Sequence, residues 1–295
     1  MLRVPADLAL TLAAVLDEGS LDAAARRLHV TPSAVSQRIK TLEEHVGRVL
    51  LVRARPVRPT TAAHAVVRYA RQIALLEHEA VAALGGADGA LLSIPLAVNA
   101  DSLATWFLAP LARVAERHPL VFDLHRDDQD FTAELLESGT VIGAVTSRAQ
   151  PVAGCRVSAL GTLRYEAVAT PEYSARWFAD GVTAPALTHA PLIDFDRRDD
   201  LQSRWLSSHG VDPTHPPRHR VPASHDFATA TTLGFGWALL PRFQSQAHLD
   251  AGRLISLGGP PVDVPLYWQQ WNLASDVLDA VAGEIITEGR RVLTH

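Results

Sequence analysis

Between Leu8 and Val46 the apolar positions return every three or four residues, in short runs separated by polar breaks. The first run is LALTLAAVL; Gly19 and Ser20 then supply a stop and an N-cap, and LDAAARRL follows. Thr31 is placed as the next N-cap, Pro32 as the first helical residue and Gly47 as the C-cap, so the pattern predicts short helices joined by tight turns. In the last of them Ala34, Val35, Ile39 and Leu42 have core spacing. VRARPVRPT, residues 52–60, mixes β-branched residues with two prolines and three arginines, which predicts a small β wing.

From Thr60 to Leu84 no Gly or Pro interrupts a stripe of Val66, Val67, Ala70, Ile73, Ala74, Glu77 and Val81. One long helix is predicted, with a stripe that the neighbouring short segments are too small to cover, and this points to pairing with a second copy. GGADG breaks it as a hinge. Beyond residue 90 the period changes repeatedly. The strand-like LLSIPLAV precedes a helix at 102–117; VFDLH precedes another near 132–138; VIGAV, LRYEAVA, PLIDF, HRVPA and WALLP alternate with further helical stretches. Such alternation predicts an α/β body with two largely parallel sheets, whose ligands gather at strand C-termini and helix N-termini. The divisions read from these patterns are 1–59 for a winged helix-turn-helix, 60–84 for the linker helix, 85–90 for the hinge and 91–295 for the body.

Composition refines this picture at three points. The chain of 295 residues carries a formal net charge of −5, but residues 1–60 hold nine Lys/Arg against six Asp/Glu, leaving 18 against 26 for the rest. A basic head on an acidic body implies polyanion contact confined to the head. The single cysteine, Cys155, excludes an internal disulfide and a cysteine-based metal cage, and reads as a small packing residue. No apolar run approaches the roughly 18 residues that span a bilayer, so a cytoplasmic protein without membrane contact is expected.

In the head, the residues entering a DNA major groove from a helix N-terminus would be Thr31, Pro32, Ser33, Ser36 and Gln37, with Arg38 reaching a guanine or a phosphate. Lys40, Arg53, Arg55 and Thr60 are placed to hold phosphates. Enzymatic signatures are missing from the body: no G-x-S-x-G, H-E-x-x-H, P-loop or G-x-G-x-x-G occurs. No cofactor or metal is called for, and His215 and His219 lie among prolines instead of on a helix face. In AVNADSLATW a strand ends at Asn99 and a helix begins near Ser102, where Ser102 serves either as an N-cap or as a carboxylate-binding group. Thr146 and Ser147 follow VIGAV, Asp194 and Asp196 follow PLI, and Asp226 lies at the opening of another helix.

SLDAAARRLHVTPSAVSQRIKTLEEHVGRVLLVR, residues 20–53, resembles the winged helix-turn-helix of LysR-type transcriptional regulators, and the order of parts extends the resemblance over the whole chain. It implies a body of two α/β subdomains resembling periplasmic solute-binding proteins. NADSLATW, with GAVTS, APLIDFD and LYWQQW in the same order, resembles the branch that senses lysine or arginine and controls export of basic amino acids. The resemblance implies a homodimer or homotetramer on double-stranded DNA, and a cleft at which the four body clusters converge. There Asp101, Asp194 and Asp226 would meet the cationic ends of a basic amino acid, and Ser102 and Thr146 its carboxylate. Asp196 reads equally as a cap or an exposed loop residue. The competing reading is an amino-acid-binding or processing protein with a vestigial head.

Overall fold

The computed structural model describes residues 3–52, 54–85, 91–126 and 132–294. The head contains α1 (Ala6–Glu18), α2 (Leu21–Arg27) and α3 (Pro32–Val46). Their ends follow the predicted signals. Gly19 (φ 68°) and Gly47 (φ 70°) take the left-handed conformation that closes a helix, the Ser20 hydroxyl accepts the Ala23 N–H at 3.2 Å, and the Thr31 hydroxyl accepts the Ala34 N–H at 3.2 Å. Leu12, Val35 and Leu42 are fully enclosed at the centre of this unit, with Ile39 beside them. A two-stranded wing pairs β1 (Leu51–Val52) antiparallel with β2 (Arg58–Pro59). The Glu43 carboxylate fastens it to α3 by accepting the Leu50 N–H at 2.7 Å.

The linker helix α4 (Thr61–Ala83) does two jobs within one chain. Ala63, Val66, Val67 and Ala70 are buried in the head core, where α4 packs along α1. The expectation of a wholly uncovered stripe is therefore corrected: α1 covers its first half. Leu76, Val81 and Leu84 remain exposed further along. Arg71 joins head to body, donating to Asp17 Oδ1 at 2.6 Å and to the Gly139 carbonyl at 2.8 Å. Glu79 accepts the Ser275 hydroxyl at 2.6 Å and the Val277 N–H at 3.1 Å. Of the expected hinge, residues 86–90 lie outside the described residues.

The body begins with β3 (Leu92–Val98), α5 (Ala100–Thr105), α6 (Leu108–Ala115), β4 (Leu120–Arg126), α7 (Thr132–Glu137) and β5 (Gly143–Thr146). It continues through β6 (Cys155–Ala169), α8 (Pro171–Trp177), α9 (Ala184–His189), β7 (Leu192–Asp194), α10 (Leu201–Ser208) and β8 (Arg218–Arg220). The last elements are α11 (Ser224–Thr232), β9 (Ala238–Pro241), α12 (Arg242–Asp250), β10 (Ile255–Ser256), β11 (Val262–Trp271) and α13 (Asp276–Val292). The expected helix at 102–117 is two helices. Trp106 and Phe107 are both buried, and adjacent residues of one straight helix point about 100° apart, so the chain breaks to turn both inward.

The first subdomain is parallel as expected, β3 lying between β4 and β5. The expectation of two largely parallel sheets fails beyond it. Among the described residues one mixed sheet of seven strands runs through both subdomains, in the order β10-β6-β11-β5-β3-β4 with β9 also on β6, and β7 and β8 form a separate parallel pair. The long antiparallel partners β6 and β11 make the sheet continuous from one subdomain to the other, with a register break between Leu266 and Tyr267. Near that break Gly161 (φ 134°) has no room for a side chain, since a Cβ there would lie 2.7 Å from Leu293 Cβ.

Candidate functional site

Two surfaces carry the chemistry. On the head, α3 presents Ser33, Ser36, Gln37 and Lys40 to solvent beside the exposed Thr31 and Pro32, with Arg38 half-buried, so one element brings these predicted residues together. Lys40 lies 3.8 Å from Glu44, an exposed pair that DNA can displace at little cost. Arg55 is exposed on the wing; Arg53 lies outside the described residues. Thr60 is differently employed. Its hydroxyl donates to the Val49 carbonyl at 2.8 Å, so the single proton a phosphate would need is already committed to holding α4 against the wing.

The second surface is a cavity of about 120 Å³ between the two body subdomains. The first subdomain supplies Asn99 and Asp101 from the start of α5, and Arg126 from the end of β4. The second supplies Phe195, Asp196, Arg198, Asp199 and Gln202 around the turn from β7 to α10, with Phe227 on α11; Tyr165 comes from β6. Hydrogen bonds cross between the subdomains. Ser224 donates to Asp101 Oδ1 at 2.6 Å, and Arg126 donates to the Pro222 carbonyl at 3.0 Å. Tyr165 donates to Asp101 Oδ2 at 2.7 Å, so both carboxylate oxygens of Asp101 are held by hydroxyl groups. Burial raises the Asp101 pKa, opposed by the Ser224 and Tyr165 hydrogen bonds. Gln244 donates in turn to Ser224 at 2.8 Å, fixing the hydroxyl that reaches across.

Asp199 is a second buried acid of the cavity. Its oxygens accept the Phe195 and Leu201 N–H groups, each at 3.1 Å, yet burial pushes its pKa up to about 6, and the neighbouring Asp194 and Asp101 charges push the same way. Asp196 is both a cap and a lining residue: its Oδ1 accepts from the Arg198 N–H at 2.7 Å and the Asp199 N–H at 3.1 Å, which orders the turn. The guanidinium of Arg126 sits 5.7 Å from the Phe195 ring centre, leaving its charge in the cavity mouth.

The structure does not bring every expected body residue to this cavity. Asp194 is buried and its Oδ2 accepts from Arg218 at 2.7 Å, so its charge is matched inside the second subdomain. Burial raises its pKa, with Arg218 offsetting part of the effect. Asp226 is exposed on α11 and does not line the cavity. Ser102 is the third residue of α5 and not its cap, a place taken by Asn99; its hydroxyl is fully buried with no hydrogen-bond partner among the described residues. Thr146 is buried at the end of β5, accepting the Arg148 N–H at 3.1 Å, and Ser147 is half-buried beside it; neither lines the cavity. Sequence reasoning missed Arg126, Tyr165, Phe195, Asp199 and Gln202. The acid-rich DFDRRDD following a strand signalled Asp199, whereas nothing local marks Arg126 or Tyr165.

Among the described residues, no group of three or more His, Cys, Asp or Glu is placed to hold a metal ion, and no helix is long and apolar enough to cross a membrane. Cys155 is half-buried, and burial pushes its thiol up to about 11, far from the thiolate character of a redox sensor.

An outward-facing polar helix with a wing, joined by a long helix to two α/β subdomains with a cavity between them, has the arrangement of a DNA-binding head on a ligand-binding body. Residues 7–64 match the family of bacterial regulatory helix-turn-helix proteins of the lysR type, and residues 92–280 match the LysR substrate binding domain. The chain belongs to the LysR family: it is a DNA-binding transcriptional regulator, not an enzyme. It is similar to the HTH-type transcriptional regulator LysG of Mycobacterium tuberculosis, 44% identical over 275 residues, covering 93% of this chain and 90% of that protein. The lysine export transcriptional regulatory protein LysG of Corynebacterium glutamicum is 42% identical over 279 residues, 94% of each chain. Among solved structures, ArgP of Mycobacterium tuberculosis superposes with a TM-score of 0.85 at 41% identity, over 97% of this chain and 98% of that one. Full-length LysG of Corynebacterium glutamicum with bound effector Arg gives a TM-score of 0.78 at 38% identity, over 99% and 100%.

Proposed function

We propose that this regulator responds to a basic amino acid, lysine or arginine, and controls basic amino acid export or metabolism. The observation that carries the reading is the composition of the interdomain cavity. Asp101, Asp196 and Asp199 line it together with the Arg126 and Arg198 guanidiniums, so it offers acceptors to cationic groups and cations to a carboxylate. A zwitterion with a charged tail satisfies both. Phe195, Leu201 and Leu239 supply apolar surface for the methylene stem between them. The names of LysG as a lysine export regulator, and of its structure with arginine, agree with this. Residues contributed by both subdomains let the effector act on their mutual closure, and the Arg71 connection between Asp17 and Gly139 offers a route from body to head.

On DNA the protein acts as a homodimer or homotetramer, because one small head has few contacts and a linked pair gains from effective concentration. Leu76, Val81 and Leu84 give α4 an apolar surface for that pairing. Calorimetry on the full chain with lysine, arginine and leucine tests the effector: lysine or arginine should bind well ahead of leucine, whose neutral tail would leave buried acids unpaired. Equal affinity for leucine, or no amino-acid binding, would sink the effector assignment. A salt titration on duplex DNA tests the head separately, through a steep log–log decline in affinity.

A further inference from the structure

The second-subdomain wall of the cavity contains an acceptor that no described residue uses. Gln202, on the first turn of α10, is 1% exposed and lines the cavity. Its Nε2 donates to the Ile193 carbonyl at 3.0 Å, which settles the orientation of the amide and turns Oε1 away from that strand. Oε1 is buried and has no hydrogen-bond partner among the described residues. Across the cavity Asn99, 2% exposed, also has a buried, unpartnered side-chain oxygen. A buried carbonyl oxygen without a donor costs the fold free energy unless something else fills the role, and here the two residues that carry such oxygens line one cavity from opposite walls.

We infer that Gln202 is a specificity-determining residue of the effector site, accepting an N–H of the effector's cationic tail beside Asp199. This rests on the basic-amino-acid reading above and names the group that selects for it. A neutral acceptor suits this wall for an electrostatic reason. Asp196 and Asp199 already crowd it with Asp194 close behind, and a further carboxylate would add repulsion that favours its own protonation. An amide oxygen accepts from a cation without adding charge. It also has a set direction, because the Ile193 carbonyl holds the amide nitrogen. A neutral aliphatic tail has no N–H to give Oε1, and gains nothing from it.

The test compares Gln202→Leu with Gln202→Glu in the full chain, by calorimetric titration with arginine, lysine and norleucine. Only Gln202→Glu keeps an oxygen that can accept from the effector. Both variants lose the Nε2 bond to the Ile193 carbonyl, so the unliganded melting temperature of each is measured alongside. Expected is a loss of about tenfold or more for arginine and lysine in Gln202→Leu, with norleucine unchanged and Gln202→Glu within a few-fold of the unaltered protein. Should Gln202→Leu not fold, Gln202→Met presents the same loss of acceptor and carries the same expectation. Equal loss for all three ligands, or equal losses in the Leu and Glu variants, would show a packing role and overturn the assignment. Unchanged arginine and lysine affinity in Gln202→Leu would overturn it while leaving the effector reading intact. Failure of the unaltered protein to bind any basic amino acid would overturn that reading, and this inference with it.

Discussion

The head and the cleft handle polar side chains in opposite ways. On α3 the functional groups point outward from a helix whose inner face is Val35, Ile39 and Leu42, so one short stretch of sequence composes that whole helical face. In the cleft Asp101, Tyr165 and Ser224, which meet within 2.7 Å, are drawn from three separate elements. The head therefore works as a rigid surface presented to DNA, whereas the cleft works by how its two walls meet. Damage to the first should be local; damage to the second should alter both walls.

The sharpest way to break this contrast is through the cores. Leu42 is fully buried in the head, so Leu42→Ala should cost about 2–5 kcal/mol and abolish duplex binding while calorimetric effector affinity is retained. Parallel loss of effector binding would mean that the two regions are not independent. The cross-cleft bond comes next. Ser224→Ala leaves one Asp101 oxygen without its inter-subdomain partner at a buried site, for an expected cost of about 1–3 kcal/mol in chemical denaturation, together with a change in effector affinity. An unchanged denaturation midpoint would remove this bond from the forces that hold the walls together.

Proton uptake distinguishes the regions more gently. The folded Asp199 carboxyl keeps its proton up to about pH 6, while an unfolded aspartate loses it near 3.8. Folding stability should fall as pH rises between these values and show no further contribution from Asp199 above them. A cationic effector favours the ionised acid, so its affinity should rise as pH increases toward 6, by at most about tenfold per unit, and Asp199→Asn should flatten the profile. An identical slope in the variant would assign the titration to another group. Smallest in stability is Lys40→Ala. Its exposed pair with Glu44 is worth about 0–1 kcal/mol, yet the variant should lower the salt slope of DNA binding by about one if Lys40 meets a phosphate. An unaltered slope would leave Lys40 as a solvated surface charge.

The capping residues Ser20, Thr31 and Gly47 act through neighbours three or four positions away, so the helix-turn-helix and its outward polar face were legible along the chain. The long helix was legible for the same reason, and so was the α/β alternation of the body, because hydrophobic period is a local property. What covers a stripe is not local. Only the packed structure decided that α1 buries Val66, Val67 and Ala70, and that β6 and β11 carry a single sheet through both subdomains. The cleft divides along the same line. Strand ends and helix starts marked Asn99 and Asp101, but four acids of similar sequence context met different fates: Asp194 turned to Arg218, Asp226 to solvent, Asp101 to Ser224 and Tyr165, and Asp199 to the cavity wall. A carboxylate's role depends on its burial and on the donors that reach it, and those donors arrive from residues as distant in sequence as the 123 positions separating Asp101 from Ser224.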